Sequence, residues 1–260
     1  MINRYTGMEE IMRLDKFLSD MGCGTRSELK KAIRKGLVKA GGQTVKDPGF
    51  QVGEDAVVTL DGVPVRYQST VYIMMNKPQD VITATADSRD MTVFDLLDPE
   101  HYADADENGV IPDAAFRRDI APVGRLDKDT EGLLLLTNDG ELAHRLLSPK
   151  KHVDKVYYAI LDMPAEENDA EAFAGGIEIR DEDPFTALPA ELEITNEPEK
   201  VFLTIREGKY HQVKRMFAQR GKTVLFLKRT AFGPLKLDEA LEPGQWRLLT
   251  ENETAALKEI

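Results

Sequence analysis

Apolar positions recur at helical spacing near the start of the chain. Leu14, Phe17, Leu18 and Met21 fall on one face and predict a helix opening at Arg13. Gly22-Cys23-Gly24 breaks the pattern, and Thr25 or Ser27 can cap a second helix with Leu29, Ile33 and Ala32 inward. After Gly36 the period shortens. Residues 37–40 and 43–45 flank Gly41-Gly42 and predict a hairpin, with 57–60 as a further strand. Residues 61–70, holding Gly62 and Pro64, read as a linker.

A second set of patterns begins at Val71. Residues 71–75 predict a strand, ended by Asn76-Lys77-Pro78. Leu133, Leu134, Leu135 and Leu136 follow a tight turn, and four leucines in a row predict burial. A helix follows from Glu141 with Leu142, Leu146 and Leu147 inward. Strands are predicted over 155–161, 201–205 and 223–227, and a helix over 213–219. Residues 98–122 are loop-like and rich in Asp, and Tyr102 to Asp113 reads as a surface insertion. No internal repeat is evident.

Composition narrows the class. At 260 residues, 42% hydrophobic and 31% charged, the chain suits a soluble protein of more than one domain. It shows no apolar run of membrane-spanning length, and its first ten residues lack the apolar core of a secretion signal. The single Cys23 excludes an intrachain disulfide and suits a reducing compartment. His101, His144, His152 and His211 are scattered, so no zinc spacing appears. The expectation is a cytoplasmic, metal-free monomer with no membrane partner.

A net charge of -12 argues at first against nucleic acid, but its distribution argues for it. Residues 13–46 carry a local +6, 201–230 a local +7, and 161–200 a local -11. RNA needs local basic surface, not a basic average. The acidic segment is expected to face away from RNA.

The chemistry concentrates in Val123-Gly124-Arg125-Leu126-Asp127-Lys128-Asp129-Thr130-Glu131-Gly132. A carboxylate on a turn fixed to a buried strand can be positioned accurately. The spacing of Asp127, Asp129 and Gly132 also opens like a calcium loop, D-x-D-x-x-G. It then fails, because the twelfth position is Asn138 and leucines intervene.

Four ordered motifs resemble one family. The basic module at 12–60 resembles the small αL RNA-binding module of a small-subunit ribosomal protein. Lys77-Pro78, Gly124-Arg125-Leu126-Asp127 and Lys209-Tyr210-His211-Gln212-Val213-Lys214-Arg215-Met216 resemble the RNA pseudouridine synthases, in a form most similar to the RsuA-like branch acting on small-subunit rRNA. The resemblance covers roughly residues 12–250. It implies an α/β (α+β) fold: a small N-terminal αL module at 12–60, then a catalytic domain at 71–250 with a mixed, mostly antiparallel sheet. It implies no cofactor, and as partner ribosomal RNA or a pre-ribosomal small-subunit particle.

The resemblance also assigns residues. Asp127 takes the place of the catalytic aspartate, Tyr157 that of the tyrosine packing on the target base, and Lys214 that of the basic partner of the aspartate. Many relatives carry arginine at that last position. Lys214 is expected to keep a buried Asp127 ionised. RNA contacts are expected from Arg13, Lys16, Arg26, Lys30, Lys31 and Arg34 in the module. In the catalytic domain they are expected from Arg125, Lys209, Tyr210, His211, Gln212 and Arg215. Asp80 stands where glycine is common in the family. One aliphatic residue between 225 and 249 is expected under the base. Two other readings use the same surfaces: a large-subunit rRNA synthase, and a non-catalytic assembly factor. The carboxylate could attack the sugar or remove its 2′ proton, and the sequence does not choose.

Overall fold

The computed structural model of the chain describes residues 11–103 and 119–260. They group into two compact units, one of residues 11–71 with 119–120, the other of residues 72–103 and 121–260. The proposed insertion from Tyr102 to Asp113 lies mostly outside the described residues.

In the first unit, helices Leu14–Asp20 and Arg26–Arg34 bury Leu14, Phe17, Leu18, Leu29 and Ile33. Thr25 starts the second helix with a reciprocal cap: its hydroxyl accepts from the Glu28 N–H, and the Glu28 carboxylate accepts from the Thr25 N–H at 2.8 Å. The helices share a core with an antiparallel sheet ordered Gln43–Val45, Val38–Ala40, Val58–Leu60, Val63–Val65. Gly41 and Gly42 both have positive φ, the mirror-image turn that suits strand twist. Asp61-Gly62 does the same one hairpin later, so Val63–Val65 is a strand within what reads from sequence as linker. Met12–Arg13 pairs with Gln51–Val52.

The second unit is built on one mixed sheet. Across it run Glu191–Ile194, Lys200–Ile205, Lys155–Leu161, Val224–Phe232, Glu131–Thr137, Tyr72–Lys77 and Trp246–Leu248. Along this order one pairing is parallel, that of Glu131–Thr137 with Val224–Phe232. Leu133 to Leu136 are all wholly buried, as a central strand covered on both faces requires. Strand Lys155–Leu161 instead alternates: Lys155, Tyr157, Ala159 and Leu161 are buried, while Val156, Tyr158 and Ile160 are half-exposed.

Some expectations change. Helix Gly140–Leu147 buries Leu142 and Leu146 but leaves Leu147 exposed, because the one-residue step carries it off the inward stripe. The strand expected at 223–227 continues to Phe232. Helices Glu167–Ala174 and Glu251–Lys258 were not legible; the first buries Asp169 and Phe173, the second only Leu257.

Candidate active site

The turn carrying Asp127 leads into strand Glu131–Thr137. Gly132 is required there. Its φ is +106°, and a Cβ would collide with the Arg229 backbone of the parallel neighbour.

Three groups from residues 77–83 hold the turn by alternate residues. The Thr83 hydroxyl donates to the Leu126 carbonyl at 2.9 Å and accepts from the Leu126 N–H at 3.2 Å. The Asp80 N–H donates to the Lys128 carbonyl at 2.9 Å. The Lys77 ammonium donates to the carbonyls of Lys128 at 3.3 Å, Thr130 at 2.9 Å and Pro78 at 2.8 Å. With 126, 128 and 130 held through the backbone, the side chains of Asp127 and Asp129 are left to project. Asp80 takes φ +62°, the left-handed conformation a glycine adopts easily. Lys77 is wholly buried, and burial pushes its ammonium down to about 8 against the pull of Asp127 and Asp129.

Both carboxylates converge on one ammonium. Lys214 Nζ lies 3.3 Å from Asp127 Oδ2 and 2.5 Å from Asp129 Oδ1. The expected pair is therefore a triad, with the closer contact to Asp129. Burial pushes the Asp129 carboxyl up, but the hydrogen bond and charge of Lys214 outweigh it and hold it below its ordinary value. The Asp127 side chain is 29% exposed, a partly buried carboxylate. His211 Nε2 lies 3.8 Å from Asp127 Oδ2.

A cleft of about 70 Å³ opens at Asp127, lined by Arg125, Leu126, Thr130, Tyr157, Ile205, Gly208, Lys209, His211, Gln212, Val213 and Leu227. Tyr157 and Tyr158 point to opposite faces. Tyr157 faces the cleft; Tyr158 lies against Phe202 and Phe226, at ring distances of 5.3 and 6.2 Å. Leu227 lines the cleft from the segment expected to supply the aliphatic residue. A larger cavity, about 660 Å³, lies on the other face beside Val156 and Phe202, away from Asp127.

The remaining RNA candidates divide. Arg125 is exposed at the cleft, and Tyr210 is 67% exposed and stacked on His211 with ring centroids 3.8 Å apart. Lys209 also lines the cleft, with its ammonium 6.0 Å from the Phe185 ring centre. Gln212 reaches the cleft wall, but its side chain is engaged within the protein. It is 3% exposed and braces the loop, accepting from the Lys209 N–H and donating to Glu207. Arg215 is likewise engaged: it forms a two-pronged pair with Asp181 at 2.6 and 2.7 Å over the Phe185 ring. That pair brings part of the acidic segment onto the helix that bears Lys214, so this segment does not simply face away.

In the first unit, Lys31 and Arg34 are exposed on the second helix, and Lys16 pairs with Asp20 at 2.6 Å. Arg13, Arg26 and Lys30 gather around the wholly buried Asp15, at 3.0, 3.3 and 3.8 Å. Burial pushes the Asp15 carboxyl up, yet the Arg13 hydrogen bond and the Arg26 charge bring it below its ordinary value. Asp15 thus arrays three cations. Neither it nor Thr83 carries a signal in the sequence, since each is one polar residue beside an apolar run.

Comparisons with known proteins place the chain in a family. The RNA pseudouridylate synthase family matches residues 71–219, and the S4 domain matches residues 12–58. An uncharacterized RNA pseudouridine synthase of Bacillus subtilis is 47% identical over 252 residues, 95% of this chain and 99% of that one. The ribosomal small subunit pseudouridine synthase A of Vibrio cholerae is 42% identical over 246 residues, again 95% and 99%. A crystal structure described as a pseudouridylate synthase superposes with a TM-score of 0.61 at 38% identity, covering 95% of this chain and 99% of that one.

Proposed function

The chain belongs to the RNA pseudouridine synthase family, in a branch with an N-terminal S4 domain, and we propose on that premise that it isomerises a uridine of small-subunit ribosomal RNA to pseudouridine. The observation that carries the reading is Asp127, projecting from a backbone-held turn into a cleft that also holds Tyr157, with Lys214 and His211 beside the carboxylate.

The reaction exchanges the uracil N1–C1′ bond for a C5–C1′ bond. The proton lost at C5 is matched by one gained at N1, so no electrons enter or leave. The target must first leave its stack. Arg125, exposed beside Asp127, fills the space it vacates. The base enters against Tyr157 and Leu227, which bound the cleft on the sheet side. Asp127 then acts on the sugar, as nucleophile at C1′ or as base at the 2′ position. Lys214 holds the carboxylate in place by charge. Basic side chains of the S4 module add affinity through phosphates.

Mapping pseudouridine in rRNA from cells with and without the protein tests this. The expected result is one small-subunit uridine that loses its modification. A missing large-subunit site would move the target, and an unchanged map of both rRNAs would end the reading.

A further inference from the structure

Among the described residues the catalytic unit buries three lysines; Lys222 pairs with Asp169 at 2.8 Å, and the other two differ in what surrounds them. Lys77 gives its ammonium three carbonyls. Lys155 is 8% exposed, and among the described residues its one hydrogen bond runs to the Val153 carbonyl at 3.1 Å. Its other close neighbour is the Phe232 ring, 5.4 Å away. Burial pushes this ammonium down to about 8, the Arg229 charge adds to that, and Asp154 and Glu207 only partly oppose it. A cation taken out of water with one acceptor is costly unless an anion completes it.

Lys155 lines a cavity of about 580 Å³ that shares Gly208 and Lys209 with the Asp127 cleft. Four more basic residues border it: Lys150, His152, Arg206 and Lys209. Among the described residues its one acid is Glu207, already engaged by the Leu188 N–H and the Gln212 amide, each at 2.7 Å. Lys155 and Tyr157 sit two residues apart on one face of the strand, so their Cα atoms are about 6.6 Å apart. That is a short step from a base held at Tyr157 to the backbone of the same strand.

We propose that this cavity is a phosphate subsite for the RNA strand carrying the target nucleotide, with Lys155 as its buried cation and Lys150, His152 and Lys209 at its mouth. It rests on the reading of the chain as an RNA-modifying enzyme. It adds the path of the strand: out of the Asp127 cleft, past Gly208, and over Lys155. Leu147 and Leu188, both exposed at the cavity, give that path an apolar wall.

The test is a salt titration of binding of the full chain to a small-subunit rRNA transcript at pH 7, below the value of about 8 to which burial pushes Lys155. A phosphate contact on a single strand contributes about 0.7 to the slope of log affinity against log salt. Lys155→Met should lower the slope by about that amount and weaken binding several-fold, and Lys155→Arg should restore much of it. Lys150→Gln, at an exposed position with no part in the core, should lower the slope as well. Lys236→Gln, on the opposite face of the sheet, should leave it unchanged. Should Lys155→Met fail to fold, Lys150→Gln decides. A wild-type slope in Lys150→Gln, or an equal drop in Lys236→Gln, overturns the subsite. Turnover is followed separately on the wild-type chain, so failure of the enzymatic reading registers there and not in the slopes.

Discussion

At the scale of single residues, the division of labour between Tyr157 and Tyr158 is the sharpest consequence of strand geometry. Alternation sends adjacent tyrosines to opposite faces, one into the cleft and one onto Phe202 and Phe226. Tyr157→Ala should weaken RNA binding by about 1–3 kcal/mol, and Tyr157→Phe should bind almost as wild type. Tyr158→Ala should leave RNA affinity alone and lower stability by about 1 kcal/mol through its lost ring contacts. Titrations and thermal melts of the three variants check this; loss of RNA affinity in Tyr158→Ala alone would reverse the faces. The meeting of Asp127 and Tyr157 at one cleft was legible because each lies in a motif that carries the family resemblance. The Lys214 triad was legible only in part. The motif pairs the lysine with Asp127, but no spacing tells that Asp129, 69% exposed, captures it more closely.

At the scale of elements, the accuracy of the site comes from residues 77–83. The apolar strand Tyr72–Lys77 was plain in the sequence, and Lys77-Pro78 marked its end. That the lysine turns back into the protein to grip the next motif was not, since a lysine at a strand end ordinarily reaches water. Thr83→Val removes the hydroxyl that pairs both polar groups of Leu126, at a cost of about 1–3 kcal/mol in a partly buried setting. Turnover should fall about tenfold with little change in KM, and Thr83→Ser should recover it. A rise in KM at constant kcat would show instead that Thr83 serves binding. Gly132→Ala strikes the same turn from its other end. The Cβ meets backbone that cannot yield, so a loss of several kcal/mol is expected by chemical denaturation. The helices Glu167–Ala174 and Glu251–Lys258 escaped the sequence because each buries two residues or fewer, too few to set a period.

At the scale of the whole molecule, charge is sorted rather than balanced. The net -12 coexists with exposed Lys31 and Arg34 on the S4 module, while acids such as Asp15, Asp169 and Asp181 are spent on neighbouring cations inside their own units. Acidic excess therefore says little about which surfaces meet RNA. Lys31→Gln with Arg34→Gln in the full chain should flatten the salt dependence of RNA binding while leaving the rate at saturating RNA unchanged. An unaltered slope would show that the module does not touch phosphate. All these scales serve one carboxylate. The most direct test is the pseudouridine formed in a small-subunit rRNA transcript, or in the matching pre-ribosomal particle, by wild type, Asp127→Asn and Asp129→Asn, with binding measured alongside. Asp127→Asn should bind RNA and turn over less than about a hundredth as fast as wild type, with Asp129→Asn far milder. Equal losses in the two variants, or substantial turnover by Asp127→Asn, would contradict the assignment of the chemistry to Asp127.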